Sequence, residues 1–577
     1  MSETMTRHAQ SAGTAPAAAS GGLGPEHARG APIVGRAVAS LLEDSAERFP
    51  DRPYLDFLGK KYTYAETLAL VNRAAHGFQQ MGVGPGTRVG LCLPNSPYFT
   101  ICYFAILKIG GTVVNYNPLY VERELAYQIN DSGTRIMVTL DLKQIYPKVA
   151  ACLESTCLER IIVCTMAGIL PPVKSLLFSV LKRSELAPVP DDLQHIGFDK
   201  LIANAGTPTR APISPKSDVA VLQYTGGTTG VPKGAMLTHA NITANCEQLR
   251  RVVPMLEDGG GKMLAVLPFF HVFAMTVAQN LATQLGAEII LLPRFEMKQV
   301  LKTIHRKRPT LFPGVPTIYT AINNAPDLRK YDLSSLQVCI SGGAPLPVEV
   351  KKRFEELSGC ALVEGYGLTE SSPVVSCNPI GGVVKAGSIG VPLEGTEVVI
   401  RSLEEPHDPV AQGERGELTV AGPQVMTGYW KRPEESAKTL SGGFLRTGDV
   451  GYMDEDGYIF LVDRIKDVII AGGYNVYPRM IEEALYLHPA VAECICIGIP
   501  DEYRGQAPKC FVTLRDDTDA TPEELRSFLT DKISRIELPK AIEIRDSLPK
   551  TMVGKLSRKE LVEEERARMA AENGGQG

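Results

Sequence analysis

The stretch from Tyr224 to His239, Tyr-Thr-Gly-Gly-Thr-Thr-Gly-Val-Pro-Lys-Gly-Ala-Met-Leu-Thr-His, constrains this chain more than any other. Before it, Val219 to Tyr224 reads as a short buried strand, and from about Ala240 a helical pattern runs to Val253. Between them, Gly226, Gly227 and Gly230 permit backbone angles closed to other residues. Thr225, Thr228, Thr229 and Lys233 add hydroxyl donors and a cation, the groups that hold phosphate oxygens once backbone N–H groups can approach them. Pro232 limits the slack of the loop. The spacing is not that of a Walker A loop, because Lys233 follows Gly230 by three residues and no hydroxyl follows it. The competing reading, a Gly/Thr surface turn, leaves unexplained why these residues crowd behind an apolar strand.

A chain of 577 residues is too long for one ordinary core, so several domains are expected. Its net charge of −5 gives no case for a nucleic-acid partner. The twelve cysteines are scattered without a CxxC pair, which fits free thiols in a reducing cytoplasm. Cys494 and Cys496 alternate on one strand face and are expected to pack in a core rather than bind metal. No run of eighteen apolar residues occurs, so no membrane-spanning helix is expected. The apolar stretch Tyr98 to Val114, interrupted by Lys108 and two glycines, reads as a buried helix and turn.

Residues 1–32 are rich in Ala, Gly and Ser and are expected to be a disordered tail, without the basic and apolar regions of a secretory signal. Helix and strand patterns then alternate from Arg36 to about Asp141, with strands at Arg88 to Leu93, Thr112 to Val114 and Arg135 to Thr139. That alternation predicts parallel sheet covered by helices, an α/β fold. Residues 170–183 carry one apolar stripe, Val173, Leu176, Leu177, Val180 and Leu181, with Lys174, Lys182 and Arg183 beside it. Two readings stand: a peripheral helix on an anionic membrane surface, or a helix docked on the protein's own core. Residues 272–285 lack charge and predict an interior helix beside His271. Read alone, His271 is a core histidine.

Two further strand-and-turn segments follow, Val338 to Pro345 and Leu362 to Glu370. From Glu394 short strands and Gly turns predict a small β-rich subdomain. Asp463-Arg464-Ile465-Lys466-Asp467 marks a boundary, and beyond it helix and strand patterns describe a compact α+β unit of about a hundred residues. The segment Leu548 to Leu556 and a charged helix close the chain.

The glycine/threonine loop resembles the phosphate loop of the AMP-forming adenylating enzymes, the superfamily of acyl-CoA synthetases, beetle luciferases and peptide-synthetase adenylation domains. GGAPL, GYGLTE, TGD, DRIKD and PKTMVGK follow in that superfamily's order, over roughly residues 36–565. GGYNVYP, GPQVMTGYW and EGYGLTESSPVVSCNP are most similar to bacterial long-chain fatty-acid–CoA ligases. The resemblance implies a large adenylation domain (33–463) of layered α/β subdomains plus the β-rich one, a hinge (464–466), a small mobile α+β lid (467–565) and a flexible tail (566–577). It implies ATP, Mg²⁺ and coenzyme A as cofactors, and a fatty acid made into an acyl-adenylate and then a CoA thioester. A medium-chain or dicarboxylic acid substrate, or an acyl-AMP ligase loading a carrier protein, stays open. So does a homodimer, since nothing in the sequence fixes the oligomeric state.

By the same resemblance, residues 225–230 and Lys233 hold the β- and γ-phosphates, and Thr225 and Glu370 place Mg²⁺. Gly343 and Ala344 frame the adenine, and Tyr366 stacks on it within the segment that includes Gly367 and Thr369. Asp449 accepts from the ribose hydroxyls, and Arg464 holds ribose and phosphate. His271 lies beside the acyl carboxylate, and Lys555 bridges that carboxylate and the α-phosphate. Lys466 is the hinge about which the lid turns, bringing Gly472 and Gly473 to the pantetheine. Met275 stands where some long-chain synthetases carry a gating tryptophan.

Overall fold

The computed structural model describes residues 32–225, 231–253, 259–405, 407–472, 474–516, 518–551 and 554–574. Apart from Pro32, the expected N-terminal tail lies outside them. So do Gly226, Gly227, Thr228, Thr229, Gly230 and Gly473. Ile33–Gly577 form one compact unit.

Among the described residues, two large sheets carry the α/β body. One has seven strands, ordered His195–Gly197, Arg160–Cys164, Ile136–Leu140, Arg88–Cys92, Thr112–Asn115, Val219–Thr225, Lys233–Thr238. All neighbours are parallel except the last pair. The other has nine strands, and its central run from Ala361–Gly367 through Val338–Gly342, Leu311–Gly314, Lys262–Ala265 and Glu288–Leu291 to Pro53–Phe57 is parallel, with antiparallel edges. Helices cover these strands, as parallel sheets require. The helix Pro97–Lys108 lies in the core with every residue but Lys108 buried; Ser96 caps it by accepting from the Phe99 N–H, and Pro97 starts it.

The segment after the glycine/threonine loop is not helical at once. Lys233–Thr238 pairs antiparallel with Val219–Thr225, and the helix His239–Val252 starts from a capping box of Thr238 and Asn241. The interior helix is largely buried as expected, with Gln284 half-buried, but Ala274–Leu281 is wound as a π-helix. Periodicity at this length does not separate π from α winding.

The β-rich part is an antiparallel sheet of Glu397–Arg401, Gly416–Ala421, Phe444–Met453 and Leu440–Ser441, extended by Ile459–Arg464. The final unit has its own core, in which Ile469, Ile481, Leu485, Cys494, Cys496, Cys510, Val512, Leu525 and Leu529 are buried. Cys494 and Cys496 thus pack inward, as their alternation predicts. The helix Arg558–Gly574 runs through most of the segment from residue 566 that the sequence reads as a tail. It is held by Glu565, which accepts from the buried Lys509 at 2.7 Å and from Arg568 at 2.7 Å.

The helix Pro172–Leu181 decides between its two readings. Phe178 packs against the core, while Val173, Leu176, Leu177, Val180 and Leu181 on the opposite face are 51–72% exposed. Docking of the stripe on the protein's own core is therefore corrected: the stripe points outward. No helix among the described residues is long and apolar enough to cross a membrane. All twelve cysteines are free thiols.

Candidate active site

The strand Val338–Gly342 ends in Gly343, whose φ of +81° puts it in the left-handed region. The absent side chain is functional space. A β-carbon there would collide with Cε of Lys555 and stand 2.6 Å from its Nζ. Lys555 reaches this point from the loop after Leu548. That loop is tied to the helix Pro316–Asn323 by the Thr317 hydroxyl, which donates to the Gly554 carbonyl at 2.5 Å. Burial, then the nearby Arg464 charge, pulls the Lys555 pKa down to about 8, with Asp449 opposing.

Asp449 and Arg464 face each other on the paired strands Phe444–Met453 and Ile459–Arg464. Arg464 Nε donates to Asp449 Oδ1 at 2.8 Å, and the Tyr366 hydroxyl donates to Asp449 Oδ2 at 2.5 Å. Burial first, and then Asp449, push the Tyr366 phenol well above its ordinary pKa, so it stays a donor. The sequence reading gave Tyr366 only a flat ring; its hydroxyl also fixes the carboxylate. Gly367 lies against the Pro373 carbonyl and leaves no room for a side chain. Thr369 opens the short turn Thr369–Ser371, and Ala344 is half-buried beside Gly343.

His271 is held neutral. Burial, then the Lys555 ammonium, lowers its pKa to about 3. Its Nδ1 accepts from the Phe273 N–H at 3.3 Å, which leaves the proton on Nε2 as a donor. Behind it Met275 is fully buried, and its Sδ accepts from Asn115 Nδ2 at 3.4 Å.

On the phosphate side Thr225 lies opposite Lys233 across the hairpin that closes the loop. Lys233 pairs with Glu435, and its Nζ stands over the Tyr429 ring, 5.4 Å from the centroid. The Tyr429 hydroxyl donates to Glu370 Oε1 at 2.6 Å. A cavity of about 280 Å³ opens here, lined in part by Glu370, Tyr429, Lys438, Arg446 and Arg464. Sequence reading missed Tyr429, Glu435, Lys438 and Arg446. Their segment carried a signal, the GYW of GPQVMTGYW, which contributed only to the family resemblance. No cluster of three or more His, Cys, Asp or Glu side chains able to hold a metal occurs among the described residues. Glu370 and Thr225 still fit Mg²⁺, because that ion is commonly held by one or two carboxylates with substrate phosphates and water.

Lys466 lies exposed in the turn Ile465–Asp467. Near it one backbone hydrogen bond crosses the expected 463/467 boundary, and an ion-pair cluster ties together the segments beyond it. Asp463 Oδ2 accepts from the Arg479 N–H at 2.8 Å, at the start of the lid helix Pro478–Tyr486, and burial raises the Asp463 pKa to about 6. Arg558 reaches Glu482 at 2.6 Å and Asp467 at 3.4 Å. Gly472 is not brought to Lys555: it is exposed, and a β-carbon on it would meet no atom within 4 Å.

Residues 42–430 match the AMP-binding enzyme family, and residues 480–555 match the AMP-binding enzyme C-terminal domain. A long-chain-fatty-acid–CoA ligase of Bacillus subtilis (strain 168) is 45% identical, covering 92% of this chain and 95% of its own length. One from Escherichia coli O157:H7 is 37% identical with the same coverage, 92% and 95%. The solved anthranilate CoA ligase AuaEII, in complex with anthranoyl-AMP, superposes with a TM-score of 0.83 at 26% identity, covering 94% of this chain and 99% of that one. With a family match across most of its length and relatives this similar end to end, the chain belongs to the AMP-binding enzymes.

Proposed function

We propose that this protein is an AMP-forming long-chain fatty-acid–CoA ligase, which joins a fatty acid to ATP and then passes the acyl group to coenzyme A. The observation that carries this reading is the convergence of Lys555 with Gly343, Arg464 and Asp449, in a chain 45% identical to a ligase of that name.

In the first step a carboxylate oxygen attacks the α-phosphorus of ATP. The bond to the bridging oxygen breaks, and diphosphate leaves with its electron pair. Two anions must meet, so the site must supply positive charge and fixed orientation. Lys555 does both when its ammonium lies between carboxylate and α-phosphate. Arg464 and Tyr366 hold Asp449 ready to accept from the ribose hydroxyls, and His271 offers Nε2–H near the acyl carboxylate. Residues 225–230 with Lys233 cradle the outer phosphates. Glu370 and Thr225 would hold Mg²⁺, which would supply positive charge against the phosphate oxygens.

In the second step the CoA sulfur, having lost its proton, attacks the acyl carbonyl and AMP departs. Lys555 is then no longer required. The arrangement 33–463, hinge 464–466 and lid 467–565 serves both steps if the lid turns about Lys466, carrying Lys555 out and Gly472 and Gly473 toward the pantetheine. The exposure of Gly472 while Lys555 is inserted supports this scheme.

We further infer a peripheral contact with an anionic membrane surface through the helix Pro172–Leu181. Its outward apolar stripe, with Lys174 in the helix and Lys182 and Arg183 just after it, supports that reading.

Fatty-acid-dependent exchange of labelled pyrophosphate into ATP across chain lengths, followed by CoA addition, tests the reaction. Exchange that peaks with long chains, and acyl-CoA formed on adding CoA, is the expected result. Absence of exchange with every acid overturns it. Acyl-adenylate that never passes to CoA points to a carrier protein as acceptor.

A further inference from the structure

Asp131 stands in the last turn of the helix Glu122–Ser132, where a carboxylate opposes the helix dipole and no basic residue of that turn offsets it. Its charge is used on other segments. Oδ2 accepts from the Tyr224 hydroxyl at 2.6 Å, and Oδ1 accepts from Arg432 Nη2 at 2.9 Å. Its backbone carbonyl accepts from Trp430 Nε1 at 3.1 Å and from Lys431 Nζ at 2.8 Å. The side chain is only 10% exposed, so these partners stand in for water. Burial first, and then Asp131, push the Tyr224 phenol above its ordinary pKa, so it remains the donor.

Two of these partners adjoin groups of the site. Tyr224 precedes Thr225, and Trp430 follows Tyr429, whose hydroxyl reaches Glu370. The Trp430 N–H donates to the Gly234 carbonyl at 2.8 Å, and Gly234 follows Lys233. One turn before Asp131 on the same helix, the Tyr127 hydroxyl donates to the Pro232 carbonyl at 3.2 Å, on the other side of Lys233.

We propose that Asp131 is a positioning residue for adenylation, which ties the strand Val219–Thr225 to the segment Tyr429–Arg432 and so sets where Thr225, Lys233 and Tyr429 stand relative to one another. The inference rests on the ligase reading and adds to it a residue that acts through Tyr224 and Arg432 rather than on a ligand. A carboxylate is needed because two donors from different segments each take one of its oxygens.

MgATP and AMP, titrated calorimetrically into the full-length protein with no acid or CoA present, test this without turnover. Asp131→Asn keeps the shape but offers one acceptor oxygen where two are used. It should weaken MgATP binding roughly tenfold, the weight of one charge-assisted contact, and leave the affinity for AMP, which lacks the outer phosphates, unchanged. Tyr224→Phe should weaken MgATP in the same selective way by several-fold. The double variant should lose no more than Asp131→Asn alone, because both changes cut one connection. Emission from Trp430, the only tryptophan of the chain, checks that the segment stays folded. Should Asp131→Asn prove unfolded, Tyr224→Phe decides by the same comparison of ATP with AMP. Wild-type affinity for MgATP in the folded variants, or a loss shared equally by AMP, overturns the role. Failure of the ligase reading would show separately, as wild-type protein that binds MgATP but exchanges no pyrophosphate with any acid.

Discussion

Gly343 and Lys555 share one volume. The lysine stem lies where a side chain on residue 343 would stand, with Nζ 2.6 Å from the position of the missing β-carbon. A residue at the end of a sheet strand and one near the C-terminus, 212 positions apart by number, therefore constrain each other sterically.

Gly343→Ala should expel the lysine from its place and strain the backbone at φ +81°. Displacement of a reacting group by about 1 Å costs on the order of 100-fold in rate. Pyrophosphate exchange should fall by that order, while thioester formation from supplied acyl-adenylate should stay within a few-fold of wild type.

Lys555→Ala and Lys466→Pro should divide the two half-reactions. The first should abolish adenylate formation, a loss of at least about 100-fold, and spare thiolation of supplied acyl-AMP. The second, by stiffening the hinge turn Ile465–Asp467, should spare adenylate formation and block thiolation. Single-turnover assays of each half-reaction make the comparison. Equal loss of both steps in both variants would rule out a lid with two working positions.

The depressed pKa of Lys555, about 8, sets an alkaline limb. The ammonium is the working form, and it is lost as pH rises through that value in the free enzyme. Log kcat/KM for ATP in the exchange reaction should bend near pH 8 and then fall, approaching about tenfold per pH unit. Arg cannot lose its proton in this range, so in Lys555→Arg whatever activity remains should lack the bend.

Tyr429→Phe keeps the ring under Lys233 but removes the hydroxyl that donates to Glu370. A carboxylate without its orienting partner should hold Mg²⁺ about 10- to 100-fold less well. Activity should be recovered at high Mg²⁺, with the KM for fatty acid unchanged.

Leu176→Glu with Val180→Glu places charge in the exposed stripe, where neither residue packs on the core. Binding to vesicles containing phosphatidylglycerol should drop at least about tenfold, given ~1.5–3 kcal/mol for each buried aliphatic side chain. Activity on a short, soluble acid should not change. Wild-type vesicle binding should also weaken with added salt.

Features with a local signal were legible along the chain. Apolar runs bounded by Gly and Pro fixed Arg88–Cys92, Val338–Gly342 and Ala361–Gly367 as buried strands, and the uncharged stretch after His271 gave an interior helix. Resemblance to the ordered motifs of the adenylating enzymes singled out Lys233, Glu370, Asp449, Arg464 and Lys555, residues of the charge types that phosphate chemistry uses. Tertiary structure alone decided which way the stripe of Pro172–Leu181 points, since one amphipathic pattern serves an outward face as well as an inward one. It alone brought Lys555 onto Gly343, the Tyr366 hydroxyl onto Asp449, and Tyr429 with Glu435 between Glu370 and Lys233. Those contacts join segments tens to hundreds of residues apart. Their partners are chosen by how strands from different sheets and the lid converge in space, which no periodicity along the chain records.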